Sequence, residues 1–427
     1  MREFKDSGIE WIGKIPETWE VCKLNYIYRF QTGATPPSKV ELYFDGDIKW
    51  ANISDLKTQY VYDTNKHLSE EGVAKCNMNI SPKGSLMYSF KLSVGAVAFC
   101  GCDMYTNEAI ASFLQGYGNL HYLYYMSQVA IINNANYNIY GAPILNQDLI
   151  QNAIVINPPL PEQQRIADYL DEKCGEIDSL ISLQEQMIEK LKAYKQSVIT
   201  EAATKGLDLN AKLVPSGIDW IGDIPEGWLI TDIKNLCISI TDGSHFSPER
   251  QSEGMPYITA GDIRGKGIDY NNAMRIRLED YNTLESQGCR PHKGDVLMVK
   301  DGATTGRVGM MTDDEKCVLL SSVAMLTPLS KVDSNYLMYL VQSNVIQAQI
   351  QLLMAGSAMP RVTLKKINSL KGLLIPLNTQ RSIASYLDEK CADIDRLIAL
   401  KQQKIESLKD YKKSVIYEAV TGKTIIE

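Results

Sequence analysis

The sequence contains a long internal duplication, and this duplication limits the folds that are open to the chain. Ile166–Thr204 matches Ile383–Thr421, 217 positions later, at 26 of 39 places. A shorter motif, Ser7–Trp19, returns 209 positions later as Ser216–Trp228 with 10 of 13 residues identical. A long repeated unit determines the architecture before any single element does. The order is short motif, variable region and long segment, then the same again, which predicts two similar halves related by pseudo-two-fold symmetry.

Both copies of the long segment are predicted to be helical. Pro161 suits a first helical turn, where its missing N–H is no loss. Apolar residues recur at three- to four-residue spacing and predict a buried stripe in each copy. The stripe comprises Ile177, Leu180, Ile181, Ile188, Leu191, Tyr194 and Val198, and Ile394, Leu397, Ile398, Ile405, Leu408, Tyr411 and Val415. We expect Ile177–Ala202 and Ile394–Ala419 to form an antiparallel pair that holds two domains apart. A coiled-coil arm that joins two chains is the alternative.

The variable regions between the repeated elements have the pattern of mixed α/β domains. Gly95–Phe99 and Val308–Met311 read as strands, and Leu120–Ile132 and Ser334–Leu353 read as amphipathic helices. The predicted fold class is therefore α/β (α+β), with two similar domains separated by a pair of long antiparallel coiled-coil helices in a pseudo-two-fold internal repeat. The expected boundaries are 1–157 for the first domain, 158–208 for the first helical spacer, 209–375 for the second domain and 376–427 for the second spacer.

Composition excludes several classes of protein. The net charge of −7 does not by itself indicate nucleic-acid binding. Nine scattered cysteines, no long apolar run and no signal-peptide pattern favour a cytoplasmic protein that does not contact a membrane. Cys100 and Cys102 are a close pair, but the chain has four isolated histidines, and we predict no metal site. No nucleophile–base set or carboxylate pair stands out, so we predict no catalytic residue.

Two short motifs are partly similar to motifs of catalytic or phosphate-binding sites. Asn157–Leu160 is similar to the Asn-Pro-Pro-aromatic tetrapeptide of amino-methyltransferases, but leucine replaces the aromatic residue and no glycine-rich loop precedes it. Gly302–Arg307 lacks the Lys-Ser/Thr of a phosphate-binding loop. A linker that enters a helix and a turn between strands explain these two segments better.

The full pattern resembles the specificity subunit of Type I restriction–modification enzymes. The resemblance lies in the two Ser-Gly-Ile-(Glu/Asp)-Trp-Ile-Gly motifs, in Pro158–Cys174 leading into a long helix, in Glu201–Gly206 after it, and in the repetition of the set. It covers essentially the whole chain. The resemblance implies that each variable region reads one half of a split double-stranded DNA site and that the helices dock two methyltransferase subunits. Those subunits would carry S-adenosylmethionine, so no cofactor is expected in this chain, and restriction/translocase subunits would complete the complex.

Polar and aromatic loop residues are the candidate DNA contacts, because base edges and phosphates require amide, hydroxyl and cationic groups. The candidates are Thr35, Ser38, Lys39, Asn52, Ser54, Lys57, Lys91, Asn136, Tyr137, Asn138, Ser244, His245, Arg264, Lys266, Lys300, Arg307, Ser357 and Arg361. The candidate partner-binding residues are Tyr169, Leu170, Tyr386 and Leu387, in a segment that is identical in both halves. Two alternatives are the specificity subunit of a related Type II system and a coiled-coil scaffold with two protein-binding domains.

Overall fold

The computed structural model of the chain describes residues 3–91, 93–116, 118–354 and 360–426. Contacts divide the chain into two compact units. Unit 1 comprises Met1–Gln184 and Gln403–Glu427, and unit 2 comprises Glu185–Gln402. Each long helix therefore contributes one part to each unit, so that each unit contains the N-terminal part of one repeated helix and the C-terminal part of the other.

Unit 1 contains a five-stranded sheet of order β4-β11-β8-β9-β6 and a separate three-stranded sheet of order β10-β5-β7. Three further pairs, β1-β2, β12-β13 and β14-β3, are antiparallel. The strands are β1 Phe4–Asp6, β2 Lys14–Pro16, β3 Glu20–Lys23, β4 Arg29–Thr32, β5 Ile48–Ala51, β6 Tyr60–Val61, β7 His67–Leu68, β8 Leu86–Ser89, β9 Val97–Cys100, β10 Tyr105–Thr106, β11 Ile110–Leu114, β12 Asn136–Tyr137, β13 Pro143–Ile144 and β14 Ile154–Asn157. The helices are α1 Glu70–Cys76, α2 Leu120–Asn133, α3 Gln147–Gln151 and α4 Leu160–Lys205.

Unit 2 repeats this plan with a four-stranded sheet of order β18-β26-β23-β24 and a three-stranded sheet β22-β19-β25. Its two-stranded pairs are β15-β16, β17-β27 and β20-β21. The strands are β15 Leu213–Pro215, β16 Asp223–Pro225, β17 Leu229–Asp232, β18 Cys237–Asp242, β19 Met255–Ile258, β20 Ile263–Arg264, β21 Gly267–Ile268, β22 Met274–Ile276, β23 Val296–Val299, β24 Val308–Met310, β25 Val318–Leu319, β26 Val323–Pro328 and β27 Lys371–Leu374. The helices are α5 Leu278–Ser286, α6 Ser334–Gln342, α7 Asn344–Met354, α8 Leu364–Asn368 and α9 Leu377–Val420.

Within each unit the segments of α4 and α9 are antiparallel, as predicted. In unit 1 the Lys412 ammonium lies 2.7 Å from the Asp178 carboxylate. In unit 2 the Lys195 ammonium lies 2.7 Å from the Asp395 carboxylate. The two ion pairs correspond to each other, because both Asp178 and Lys195 are 217 positions before their counterparts. The pseudo-two-fold repeat of the sequence is thus a repeat of contacts as well.

The buried stripe of the long helices is narrower than the sequence pattern predicts. Ile177, Ile188 and Val198 are buried, but Leu180 is 48% exposed and Tyr194 is 59% exposed. The same correction applies to Leu397 and Tyr411, which are also exposed. Residues 180, 187 and 194 follow at seven-residue intervals and share one flank of the helix. Tertiary packing buries the neighbouring face of the helix instead. The periodicity of the sequence does not show which of the two faces is buried.

The ends of the long helices belong to the cores of the units as well as to the helix pair. In unit 1, Leu170 and Ile177 of α4 pack in one core with Tyr122 of α2 and Val420 of α9. In unit 2, Leu387 of α9 packs in the corresponding core. The long helices are therefore packed into the same hydrophobic cores as the sheets of their units.

One predicted helix is divided in the structure. Ser334–Leu353 forms two helices, α6 and α7, separated at Ser343. Ser343 has extended backbone angles, and the next N–H, of Asn344, donates a 2.9 Å hydrogen bond to Thr200 Oγ1 of α4. A contact with a distant part of the sequence thus divides the helix. The predicted helix at Leu120–Ile132 and the two predicted strands are confirmed by α2, β9 and β24.

Candidate nucleic-acid interface

In each unit a carboxylate of a long helix accepts a hydrogen bond from a tyrosine on a shorter helix, α2 in unit 1 and α6 in unit 2. In unit 1 the Tyr125 hydroxyl donates a 2.6 Å hydrogen bond to Asp171, which also accepts from Gln59 Nε2 at 3.1 Å. In unit 2 the Tyr339 hydroxyl donates a 2.8 Å hydrogen bond to Asp388. Burial, and then the bond to the carboxylate, raise the pKa of Tyr125 and of Tyr339 above the usual tyrosine value. Both hydroxyls therefore stay protonated and donate hydrogen bonds, and these bonds anchor the loops near them.

The first unit 1 candidates lie on loops between β4 and β6. Asn52 begins a single 3-10 turn, where its side chain accepts the N–H of Ser54 at 2.9 Å. Thr35 donates a hydrogen bond to Glu108, and the side chains of Ser38, Lys39 and Lys57 are exposed. The structure thus uses Asn52 to shape the turn and leaves the lysines of these loops directed into solvent.

A short hairpin presents the later unit 1 candidates. Strands β12 and β13 pair Asn136 with Ile144, and Asn138 Oδ1 accepts the N–H groups of Tyr140 and Ala142, both at 2.9 Å. Tyr137 is 61% exposed and Tyr140 is 88% exposed. Large apolar side chains this exposed on a turn indicate a contact surface. Lys91, in another exposed loop, lies over the ring of Phe90.

In unit 2, three candidate cations surround the β20–β21 hairpin. Arg264 is mostly exposed and has Nη1 3.4 Å from Asp269. Arg307 Nη1 donates a 3.3 Å hydrogen bond to the carbonyl of Ile263, so this arginine lies beside the same hairpin. Lys266 differs from both, because its ammonium lies 2.7 Å from Asp388 of α9. Lys266 therefore connects the β20–β21 hairpin to α9 through an ion pair.

The remaining unit 2 candidates meet at the ends of β18 and β23. His245 is exposed, whereas Ser244 is 5% exposed and bonds to the backbone of Phe246. Lys300 is 2% exposed and makes ion pairs with Asp242 and Asp301. Arg361 is 60% exposed, with Nε 3.1 Å from Asp301 Oδ1. Lys300 therefore has its charge satisfied inside the unit, and Ser357 lies outside the described residues.

The candidate partner residues divide into two kinds. Leu170 and Leu387 are fully buried in the cores of their units. Tyr169 and Tyr386 are half-buried. Exposed apolar side chains occur nearby at equivalent positions in the two units: Leu180, Leu183 and Tyr411 in unit 1, and Leu397, Leu400 and Tyr194 in unit 2. We call these two sets the apolar flanks.

Sequence reasoning missed the acidic residues that organise these surfaces. Asp242 and Asp301 each precede a glycine at the end of a strand, and this Asp-Gly pattern was the available signal. Asp171 and Asp388 lie in the identical segments that suggested a partner surface. Their observed contacts are within the chain, so internal anchoring explains part of that identity.

The described residues offer neither a metal site nor a membrane-spanning helix. Among residues 3–91, 93–116, 118–354 and 360–426, no group of three or more His, Cys, Asp or Glu side chains is arranged to hold a metal ion. Within the same ranges, no helix has the length and apolar character needed to cross a membrane.

Comparison with known proteins gives one consistent family. The family model described as "Type I restriction modification DNA specificity domain" matches residues 16–193 and 225–410. The MjaIX specificity subunit of Methanocaldococcus jannaschii is 24% identical over 447 residues, covering 100% of this chain and 97% of that protein. The EcoBI specificity subunit of Escherichia coli is 24% identical over 303 residues, covering 68% and 62%.

A solved structure shares the fold. A chain from the structure described as "Structural basis underlying complex assembly and conformational transition of the type I R-M system" superposes on this chain with a TM-score of 0.69. The sequence identity is 16%, and the match covers 96% of this chain and 99% of the other.

Proposed function

Since this chain belongs to the family of Type I restriction–modification DNA specificity domains and is a non-catalytic specificity subunit with two recognition domains, we propose that each domain reads its own half of a bipartite double-stranded DNA site. The observation that carries the proposal is the position of the two family matches, one in each repeat, on equivalent scaffolds with different loops. We place the domains at 1–157 and 209–375 and the helical spacers at 158–208 and 376–427.

The proposed contact set follows from exposure. In unit 1 it comprises Thr35, Ser38, Lys39, Asn52, Ser54, Lys57, Lys91, Asn136, Tyr137 and Asn138. In unit 2 it comprises His245, Arg264, Arg307 and Arg361. We leave out Ser244 and Lys300, which are buried, and Lys266, which is tied to Asp388. Because Arg29 is the one arginine between residues 21 and 157, amide, hydroxyl and lysine groups would do most of the reading in the first domain.

Exchange of a variable region tests the proposal. Residues 21–157 are replaced by the equivalent region of a relative, and methylated adenines are mapped in cells that carry the cognate methyltransferase subunit. We expect one half of the recognised sequence to change and the other half to stay. Exchange of 229–375 is the matched control and should change the other half. A chimaera that folds and methylates both original half-sites would contradict the proposal.

The apolar flanks support a proposal about partners. Each unit carries the same three exposed apolar side chains, related by 217 positions. Identical surfaces on one chain favour two copies of one partner, and for this family we propose two methyltransferase subunits, which would hold the S-adenosylmethionine. Restriction/translocase subunits would join in the full complex. Tyr169 and Tyr386 would lie at the edges of these contacts, whereas buried Leu170 and Leu387 would act only by packing.

Native mass spectrometry of the saturated complex tests the stoichiometry. The wild-type chain should bind two methyltransferase subunits. Leu180→Glu with Leu183→Glu places charge on the unit 1 flank and should leave one subunit bound, and Leu397→Glu with Leu400→Glu is the matched variant in unit 2. Two bound subunits in both variants would show that the flanks are not the docking sites. A shift of a DNA duplex in the presence of the methyltransferase subunit distinguishes this proposal from a scaffold with two protein-binding domains, which should give no shift.

A further inference from the structure

Four charged side chains form a connected network at the end of the unit 2 sheet. The Lys300 ammonium lies 2.9 Å from Asp301 Oδ2 and 3.3 Å from Asp242 Oδ2. Asp301 Oδ1 lies 3.1 Å from Arg361 Nε. Lys300 is 2% exposed, and a buried charge is tolerated only when it is paired. Two carboxylates and two cations therefore balance one another, and Asp301 is shared between the buried lysine and the exposed arginine.

The scaffold itself does not require this network, as unit 1 shows. Gly33 and Gly243 occupy equivalent places, because a Cβ atom at either one would collide with a neighbouring carbonyl, 1.7 Å from Thr106 O or 2.1 Å from Leu319 O. The residue before each glycine pairs with an alanine of the neighbouring strand, Thr32 with Ala111 in unit 1 and Asp242 with Ala324 in unit 2. Thr32 thus stands where unit 2 has Asp242.

The buried lysine also has a counterpart. β8 and β23 occupy the same place in their sheets, and the residue after each strand is Phe90 or Lys300. Phe90 donates its N–H to the carbonyl of Ala109, and Lys300 donates its N–H to that of Ser322. Phe90 is 2% exposed, so an apolar side chain fills this site in unit 1. Since an apolar replacement of a buried ion pair is often neutral or stabilising, the lysine in unit 2 indicates a role beyond folding.

The network fixes Arg361 in two ways. Its backbone is held by hydrogen bonds from Val362 N–H to Lys300 O at 2.8 Å and from Gly302 N–H to Pro360 O at 2.9 Å. Its side chain forms an ion pair with Asp301, in which Nε lies 3.1 Å from Oδ1 without the geometry of a hydrogen bond. A guanidinium that approaches its carboxylate through Nε can direct its terminal fork toward the O6 and N7 atoms of guanine. Orientation before binding lowers the cost of ordering the side chain on DNA.

We propose that Asp301, supported by Lys300 and Asp242, is a positioning residue for sequence readout that aims Arg361 at one base pair of the half-site read by the second domain. The inference rests on the proposed function, because it requires that this domain reads DNA. In this arrangement Lys300 supports the residues that position Arg361 and does not itself contact DNA. It also predicts that the two domains read by different means, since Thr32 and Phe90 cannot form this network.

The test uses the complex of the full chain with its methyltransferase subunits and a DNA library randomised at each base pair of the site. Methylated products are sequenced to give a preference at every position. Arg361→Ala should reduce the preference at one base pair of the second half-site by about 5- to 150-fold. Asp301→Asn should relax the same base pair by a smaller factor, and Asp301→Glu should restore part of the preference. The first half-site should not change in any variant.

Asp232→Asn is the matched control, because Asp232 forms ion pairs with Lys371 and Lys234 in the same unit, outside the network. It should leave every preference unchanged. Should Asp301→Asn fail to fold, Lys300→Phe combined with Asp301→Asn removes one charge of each sign and supplies the unit 1 residue at position 300. A folded Asp301 variant with wild-type preferences would overturn the inference and make the network purely structural.

The proposed function and this inference fail separately. If exchange of 229–375 alters the second half-site but Arg361→Ala and Asp301→Asn alter no preference, the inference is wrong and the proposed function stands. If the exchange alters neither half-site, the proposed function fails, and with it the inference.

Discussion

Tyr339→Phe removes a single hydroxyl group, the donor of the 2.8 Å hydrogen bond to Asp388 that ties α6 to α9. The tyrosine is 1% exposed, but the Asp388 side chain is 45% exposed. Hydrogen bonds to charged groups contribute about 1.5–3 kcal/mol to stability. Water can replace the lost donor at a half-exposed carboxylate, so we expect the lower end, about 1.5 kcal/mol, or about a tenfold change in the unfolding constant of unit 2.

The internal repeat supplies a matched variant and a control. Tyr125→Phe removes the equivalent hydrogen bond to Asp171 in unit 1 and should destabilise that unit by a similar amount. Tyr194→Phe removes a hydroxyl from a side chain that is 59% exposed. A surface change of this kind should alter the free energy of unfolding by less than about 0.5 kcal/mol.

The effect of Tyr339→Phe should also depend on pH. The pKa of Tyr339 is raised above its usual value of 10.0, first by burial and then by the bond to Asp388. Above pH 10 the unfolded tyrosine loses its proton while the folded one keeps it. The stability that this group contributes is therefore fully present below pH 10 and declines as the pH rises further. The difference in stability between wild type and Tyr339→Phe should shrink over that range.

Urea unfolding, monitored by hydrogen-exchange mass spectrometry, measures these changes. Peptides from α2 report on unit 1, and peptides from α6 report on unit 2. Tyr339→Phe should weaken protection in α6 and Tyr125→Phe in α2. A free energy of unfolding for Tyr339→Phe within about 0.5 kcal/mol of wild type, or a difference from wild type that grows above pH 10, would refute the reasoning.

Two further predictions concern the helix pair and the thiols. Ile177→Ala should destabilise unit 1 by about 2–5 kcal/mol because Ile177 is buried, whereas Leu180→Ala, three residues along, should cost less than about 1 kcal/mol; equal costs in urea unfolding would contradict the assigned buried face. Burial raises the pKa of Cys174 to about 11, so it should stay unmodified when native protein meets a maleimide at pH 8. Half-buried Cys22, Cys76 and Cys102 should be modified first, and peptide mass spectrometry that finds Cys174 among the first sites labelled would exclude this burial.

Some features could be predicted because they depend on local sequence. The long helices follow from uninterrupted helical sequence and from Pro161 in the first turn. Their antiparallel arrangement is compatible with the repeat, because two copies related by a two-fold axis perpendicular to the helices run in opposite directions. Strand β9 and helix α2 follow from alternation and periodicity over a few residues. The function class came from the resemblance of the repeated motifs to the specificity subunits of Type I restriction–modification enzymes, and the family match confirms it.

The candidate site was harder to predict because exposure and pairing are tertiary properties. Lys300 and Arg361 are both cations near strand ends, yet Lys300 is buried between two carboxylates and Arg361 is exposed. The sequence offers Asp301 as a neighbour of Lys300, but it does not show that Lys300 is buried. The break between α6 and α7 likewise depends on Thr200, a residue more than 140 positions away.

The sequence by itself determined the repeat, the helix pair and the family of this protein, because each is written in identities and spacings along the chain. Only the tertiary structure decided which flank of each helix is buried, which lysines are already paired, and that Asp301 lies between a buried cation and an exposed one. These outcomes depend on the free energy of burying and pairing groups that are far apart in the sequence. Local pattern places a charged residue in a loop, but the surrounding fold decides whether it meets a carboxylate or solvent.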